Sequence, residues 1–434
     1  MKISISGVRG IFGNDLKPKD ILQFTTNFSS LIKSGKCVVG SDTRPTGKII
    51  MNYVTAALMQ SGIDVYNLGT VPTPVVFREA RKFGSGIMIT SSHNPLEWNG
   101  LKFILDGRGI GDKELDIISS KQEISNSKIG NEEFIESEYI SDVKKLVNEI
   151  NRGKIIKNNP EITVDVGGGA AKNFAQPLLE NIGCQVDVIN GDLLSSSRGP
   201  DPTTDTLDEL VKKSKKIGFA FDLDSDRLVI VKDGQKKSPD VTLALGIKKL
   251  VDFGSRKFVL STDSSIGIEN YIKSKGGTVW RSKVGEVNVM QTIQKKEAEA
   301  GGEGSSGGFI FPQFNFCRDG LFTSGLIATM LDEDLDEFIE EIEKYKQVRE
   351  KISFPTKFHD KIIEKLQSKL QNKYEIELLD GIKLKIDENS WVLIRKSNTE
   401  DIIRISIESN DESKITSLQK NITELLNESY EEIK

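Results

Sequence analysis

The chain has 434 residues, which at ~100–200 residues per domain means roughly two to four domains and excludes a single small module. Apolar residues make up 37% and charged residues 28%, enough for several cores and no basis for general disorder. With 59 basic against 64 acidic side chains the formal net charge is −5, which argues against broad electrostatic binding to nucleic acid or anionic membrane and leaves any anionic ligand to a local cluster of Arg and Lys.

The N-terminal run MKISISGVRGIFG lacks the apolar core of a signal peptide, and no run of roughly eighteen apolar residues follows, so the sequence predicts a soluble, cytoplasmic protein. Cys37–Val39 then reads as a strand leading into Gly-Ser-Asp. Ile50, Met51, Tyr53, Val54, Ala57 and Leu58 fall at helical spacing, Ile63–Leu68 reads as the next strand, Pro72 and Pro74 open another helix, and Gly86–Thr90 is a strand. Strands separated by single helices imply parallel pairing in an α/β layer fold. Residues 134–152 form a charged helical connector, after which the pattern restarts at Ile162–Val166 and again at Lys257–Ser261. The acidic run Leu331–Val348 carries Leu335, Phe338, Ile339 and Ile342 on one face, the mark of a solvated amphipathic helix. Beyond about residue 350, Tyr374–Leu379, Ile382–Ile386, Trp391–Ile394 and Ile402–Ile407 read as strands and Ile415–Leu426 as a helix, giving a smaller α+β domain. Domains are thus expected at 1–150, 151–250, 251–349 and 350–434. The three cysteines, Cys37, Cys184 and Cys317, have no paired spacing, which argues against a disulfide scaffold or structural zinc site and fits a reducing compartment.

Three segments share one layout, a short strand with a loop of unusual chemistry at its C-terminal end: Thr90–Pro95, Asp222–Arg227 and Gly301–Gly308. Ligands of open α/β sheets sit outside the carboxyl ends of strands, so these loops are expected to face one cleft. In Thr-Ser-Ser92-His93-Asn-Pro95 a serine and an imidazole follow a buried-looking strand; taken alone, this is also the composition of an ordinary polar turn. In Asp222-Leu-Asp224-Ser-Asp226-Arg227, three carboxylates at i, i+2 and i+4 can converge on one hard divalent cation, and otherwise would repel each other. Glu303 and Ser305 in the glycine-rich run suit sugar hydroxyls, although a flexible linker has the same composition. Arg395-Lys-Ser397-Asn398-Thr399, with Arg404 following, places guanidinium, hydroxyl and amide donors together as an anion cradle.

Together and in this order the motifs resemble the α-D-phosphohexomutase superfamily, over essentially the whole chain. Ser6-Gly-Val-Arg9-Gly10 is similar to the family's opening G-x-R-G, and Asp42-Thr-Arg44 to its D-x-R turn. Thr90–Pro95 is similar to the phosphoserine loop, Asn99-Gly-Leu-Lys102 to the segment after it, Asp222–Asp226 to the magnesium loop, Gly302-Glu303 with Ser305 to the sugar loop, and Arg395–Thr399 to the phosphate loop. The resemblance implies three related α/β domains with mixed sheets plus a C-terminal α+β domain, heart-shaped around a central cleft. It implies a mutase of hexose 1- and 6-phosphates, in which Ser92 carries the phosphoryl group and Asp222, Asp224, Asp226 and Ser92 hold Mg²⁺. A hexose 1,6-bisphosphate serves as intermediate and activator. Lys102 and Arg9 are implied for proton transfer or charge stabilisation, and His93 stands beside the serine. Arg227 and Lys283 are implied to line the cleft, with Arg395, Ser397, Asn398, Thr399 and Arg404 on the distal phosphate. Partners are then small sugar phosphates, with the chain a monomer or homodimer. Gly307 stands where many bacterial members have His, and Asp401 where Pro is frequent; the glycine-rich loop is closer to archaeal-type phosphoglucosamine mutases and phosphoglucomutase/phosphomannomutases. Two rival readings are a haloacid-dehalogenase-type sugar phosphatase using Asp222 as nucleophile and a non-catalytic sugar-phosphate-binding protein.

Overall fold

A computed structural model describes residues 1–120, 128–154, 156, 159–397 and 401–434. Its first three sheets repeat one connection. In the first, Lys36–Ser41 lies between Asp64–Thr70 and Ser85–Ile89, all parallel, and Trp98–Leu105 returns antiparallel to Ser85–Ile89. In the second, Glu161–Asp165 lies between Gln185–Ile189 and Ile217–Phe221, and Leu228–Lys232 returns antiparallel. In the third, Lys257–Ser261 lies between Thr278–Ser282 and Ala300–Glu303, and Gly308–Ile310 returns antiparallel. The sheets are therefore mixed: the helical crossovers force parallel pairs, while a short loop permits only an antiparallel return. The first sheet is widened by Gly7–Ile11, which pairs with Trp98–Leu105 and with Lys2–Ser4.

One apolar cluster runs through the first three domains, from Val38 and Phe77 through Tyr139 and Phe219 to Phe309 and Leu326. The helix Tyr139–Ile150 buries Tyr139, Val143, Val147 and Ile150 in it, so the charged connector is a structural strut. The acidic run departs from the expected helix. Asp336–Glu343 is helical, but Lys346–Ser353 is a strand whose Val348 pairs with Ile407. That strand joins the C-terminal antiparallel sheet, in the order Lys346–Ser353, Ile402–Ser409, Ser390–Lys396, Ile382–Asp387, Glu375–Glu377. The sheet packs its own core against the helices His359–Leu370 and Glu412–Glu431. Among the described residues no helix is long and apolar enough to cross a membrane.

Candidate active site

The three unusual loops occupy the same place in the three repeats. Each is the hairpin between the third strand and its antiparallel return, at residues 90–97, 222–227 and 304–307. They reach a cleft of about 490 Å³.

The serine loop is fixed from beneath by an ion pair that neither partner exposes, Arg44 with Asp42. Arg44 donates to the carbonyls of Ser92 and Asn94 at 2.6 Å and of Pro95 at 2.5 Å. Asp42 accepts from Thr90 Oγ1 at 2.6 Å, and Thr90 Oγ1 accepts from Ser92 N at 2.8 Å. These bonds hold Ser92 at φ +53°, a left-handed conformation uncommon for serine. Its hydroxyl donates to Asp222 Oδ2 at 3.0 Å, and His93 Nδ1 lies 3.3 Å from Ser92 Oγ. Arg227 lies 3.4 Å from His93 Nε2 and can only donate, so Nε2 accepts and Nδ1 carries the hydrogen. Burial, and then Arg227 and Arg9, hold the His93 pKa well below its usual value, consistent with a neutral ring.

Asp222, Asp224 and Asp226 are fully buried and offer oxygens within 4.8 Å of one another. Thr73, in the first turn of the helix Thr73–Phe83, donates its N–H to Asp224 O at 2.8 Å and its hydroxyl to Asp224 Oδ2 at 2.6 Å. Lys102 donates to Asp224 Oδ2 at 2.7 Å and Asp226 Oδ2 at 3.2 Å. Arg318 donates to Asp226 Oδ2 at 2.8 Å. The outer oxygens are thus taken, while Asp224 Oδ1 and Asp226 Oδ1 are buried without a hydrogen-bond partner. Orphaned carboxylate oxygens beside a third carboxylate are the donor set a hard divalent cation needs, and the residues fit magnesium. Burial, and then the two neighbouring aspartates, raise the pKa of Asp222. Burial alone would lower that of Lys102, but Asp224 and Asp226 outweigh it and raise the value. In this paired state Lys102 is a charged donor to both aspartates.

Arg9, His93, Lys102, Arg227, Glu303 and Ser305 all line the cleft. Asp201 supports Arg227 at 3.4 Å. The glycine-rich loop is packed rather than a linker. A Cβ on Gly304 would lie 1.7 Å from Asp240 Oδ1, and one on Gly307, at φ +62°, 2.2 Å from Leu228 O. No side chain fits at 307 on this backbone. Lys283 is exposed and is not among the residues that line this cleft, whereas Glu286, at the start of the helix Glu286–Lys296, is. Arg395, Ser397 and Arg404 lie in the C-terminal sheet or at its end, outside this cleft. Arg395 pairs with Asp380 at 2.9 Å, and Asp380 accepts from Val284 N, next to the cleft's Gly285, at 3.0 Å. Asn398 and Thr399 lie outside the described residues. Sequence reasoning missed Thr73, Glu286 and Arg318. The signal for Arg318 was a charged pair, Arg318-Asp319, abutting the wholly buried helix Gly320–Ala328, where it must find partners.

Three repeated α/β domains, each lending one hairpin loop to a shared cleft beside a fourth domain, form the class of enzyme architecture that the motifs imply. Family models for the phosphoglucomutase/phosphomannomutase alpha/beta/alpha domains I, II and III match residues 1–128, 137–235 and 238–345, and that for the C-terminal domain matches 333–425. The chain is 33% identical over 450 residues to phosphoglucosamine mutase of Methanococcus vannielii, covering 98% of this chain and 99% of that one. It is 32% identical over 446 residues to phosphoglucosamine mutase of Methanococcus maripaludis, covering 96% and 97%. A phosphoglucomutase/phosphomannomutase family protein from Burkholderia thailandensis has the same fold, with TM-score 0.84 at 23% identity over 99% of this chain and 98% of that one. The chain belongs to the phosphoglucomutase/phosphomannomutase family.

Proposed function

We propose that this chain interconverts hexose 1-phosphate and hexose 6-phosphate through phosphorylated Ser92, with a hexose 1,6-bisphosphate as intermediate and glucosamine phosphate as the preferred substrate. The observation that carries this reading is the 3.0 Å bond from Ser92 Oγ to Asp222 Oδ2, which joins the serine of one domain to the acid triad of the next. In the forward transfer the bond between Ser92 Oγ and phosphorus breaks as phosphorus bonds the sugar hydroxyl oxygen. The hydroxyl proton moves, in net terms, onto Ser92 Oγ, whose hydroxyl then donates a hydrogen bond to Asp222 Oδ2. The return step reverses this with the other phosphate. Such transfers need alignment and charge neutralisation more than new covalent chemistry. Arg9, Lys102 and Arg227 supply cations, and Mg²⁺ on Asp222, Asp224 and Asp226 would neutralise phosphoryl oxygens. Glu303 and Glu286 line the cleft and suit an ammonium as well as hydroxyls, and the relatives named above are phosphoglucosamine mutases. Arg395, with Ser397, Asn398, Thr399 and Arg404, is assigned the distal phosphate, and the chain is read as a cytoplasmic monomer or homodimer. A phosphatase would need Asp222 free to attack, but its oxygens accept from Ser92 Oγ and from Arg227 N at 3.1 Å.

Peptide mapping of the purified protein and a panel of glucose, mannose and glucosamine phosphates, assayed with catalytic bisphosphate, test the reading. A stable phosphate on Ser92 and fastest turnover of the glucosamine pair are expected. A hydroxylamine-sensitive phosphate on Asp222, or no interconversion of any pair, ends it.

A further inference from the structure

Arg318 lies between the metal loop and the sugar loop and touches both. One guanidinium nitrogen donates to Asp226 Oδ2 at 2.8 Å, and the other donates to Glu303 Oε2 at 2.9 Å. Its backbone N–H donates to Glu286 Oε2 at 2.9 Å, and its Nε stands 3.4 Å from the same oxygen. The stem has room because residue 308 is glycine: a Cβ there would sit 2.2 Å from Arg318 Cδ. Lys102 also donates to Asp226 Oδ2, at 3.2 Å, so two cations hold that oxygen and leave Oδ1 for another ligand. The other oxygen of Glu303 is fixed by Gly285 N at 2.5 Å. The fork therefore spans two carboxylates that the chain brings from residues 226 and 303, in separate domains.

We infer that Arg318 is a positioning residue for the proposed mutase reaction, on which this inference rests. It sets the distance between the acid that would hold the metal at the serine and the acid that would meet the sugar, so that the hydroxyl arrives in line with the phosphoryl group. A guanidinium can do this because its nitrogens lie in a rigid plane; an ammonium is a point charge and reaches one carboxylate or the other.

The test uses steady-state kinetics of R318K and R318A with the hexose phosphate that wild type turns over best, alongside thermal midpoints. Displacement of reacting groups by about 1 Å lowers rates about 100-fold, so kcat of R318K is expected to fall by about that factor with KM changed less than about 3-fold and the midpoint shifted by only a few degrees. Added guanidinium is expected to restore kcat of R318A at least about 5-fold, a gain that a purely structural ion pair would not give. Wild-type kcat in R318K overturns the assignment, as does an R318A protein that folds but gains nothing from guanidinium. If R318A does not fold, R318K decides alone. A wild type that turns over no hexose phosphate ends the functional reading itself, and an active wild type with an unaffected R318K ends only the role of Arg318.

Discussion

Around Ser92, side chains from three domains interlock with almost no exposed surface. Thr73 and Lys102 come from the first domain, the three aspartates from the second and Arg318 from the third, and beneath them one apolar cluster runs through all three. The C-terminal domain has a separate core and meets the rest through polar groups. Glu408 accepts from Ile266 N at 2.8 Å, Lys383 donates to Thr262 O at 2.7 Å, Asp380 accepts from Val284 N, and Arg349 stands 3.6 Å from Asp240. Hydrogen bonds at such a seam exchange with water at small net cost, about 1 kcal/mol each. Opening an apolar junction costs about 25 cal/mol for every Å² exposed. The proposed chemistry therefore sits where domains share an apolar core, and the loop proposed to hold the distal phosphate sits in the domain with a separate one.

Four substitutions sharpen or break that contrast. Ser92→Ala should lower kcat by at least about 10⁴-fold, as loss of a nucleophile does, with the thermal midpoint unchanged; substantial turnover would remove the serine from the centre. Arg395→Ala should weaken bisphosphate binding by about 2–5 kcal/mol, because a charged partner is left unpaired. Equal affinity in calorimetry would show that the C-terminal loop grips nothing. Thr73→Val removes the hydroxyl that aims Asp224 and should cost about 10–100-fold in metal affinity or activity, read by manganese titration; an unchanged titration would mean the interdomain contact is not needed to aim the acid. The smallest effect is at the seam. Burial pushes the Asp240 carboxyl up to about 6, with Arg349 opposing and Glu408 adding to it. Its folded value lies above the unfolded 3.8, so the stability it lends is complete below that pH and is lost as pH rises through about 6. Asp240→Asn should flatten urea stability between pH 4 and 7, and a slope equal to wild type would place the titration elsewhere.

Much of the site was legible because its chemistry is local. Three acids at alternate positions of one loop announce their convergence, and Ser92 follows its strand directly. The roles of Thr73 and Arg318 were hidden because their partners lie 151 and 92 residues away in sequence. Gly304, Gly307 and Gly308 were ambiguous because the atoms that exclude a side chain there belong to Asp240, Leu228 and Arg318. In the fold, strands 162–166 and 257–261 were legible from Ile162, Val164 and Val166 and from Phe258, Val259 and Leu260. Lys346–Ser353 was not, since its charged, half-exposed pattern continues the helix before it without a break.

The left-handed backbone at Ser92 has a cost for durability. Glycine would occupy φ +53° without the penalty of order 1 kcal/mol or more that a side chain incurs. A chain selected only to resist heat would therefore tend to discard the hydroxyl on which the proposed turnover depends. Under the proposed mechanism, serine at this position is a compromise in which some robustness is surrendered to keep its oxygen aimed at Asp222.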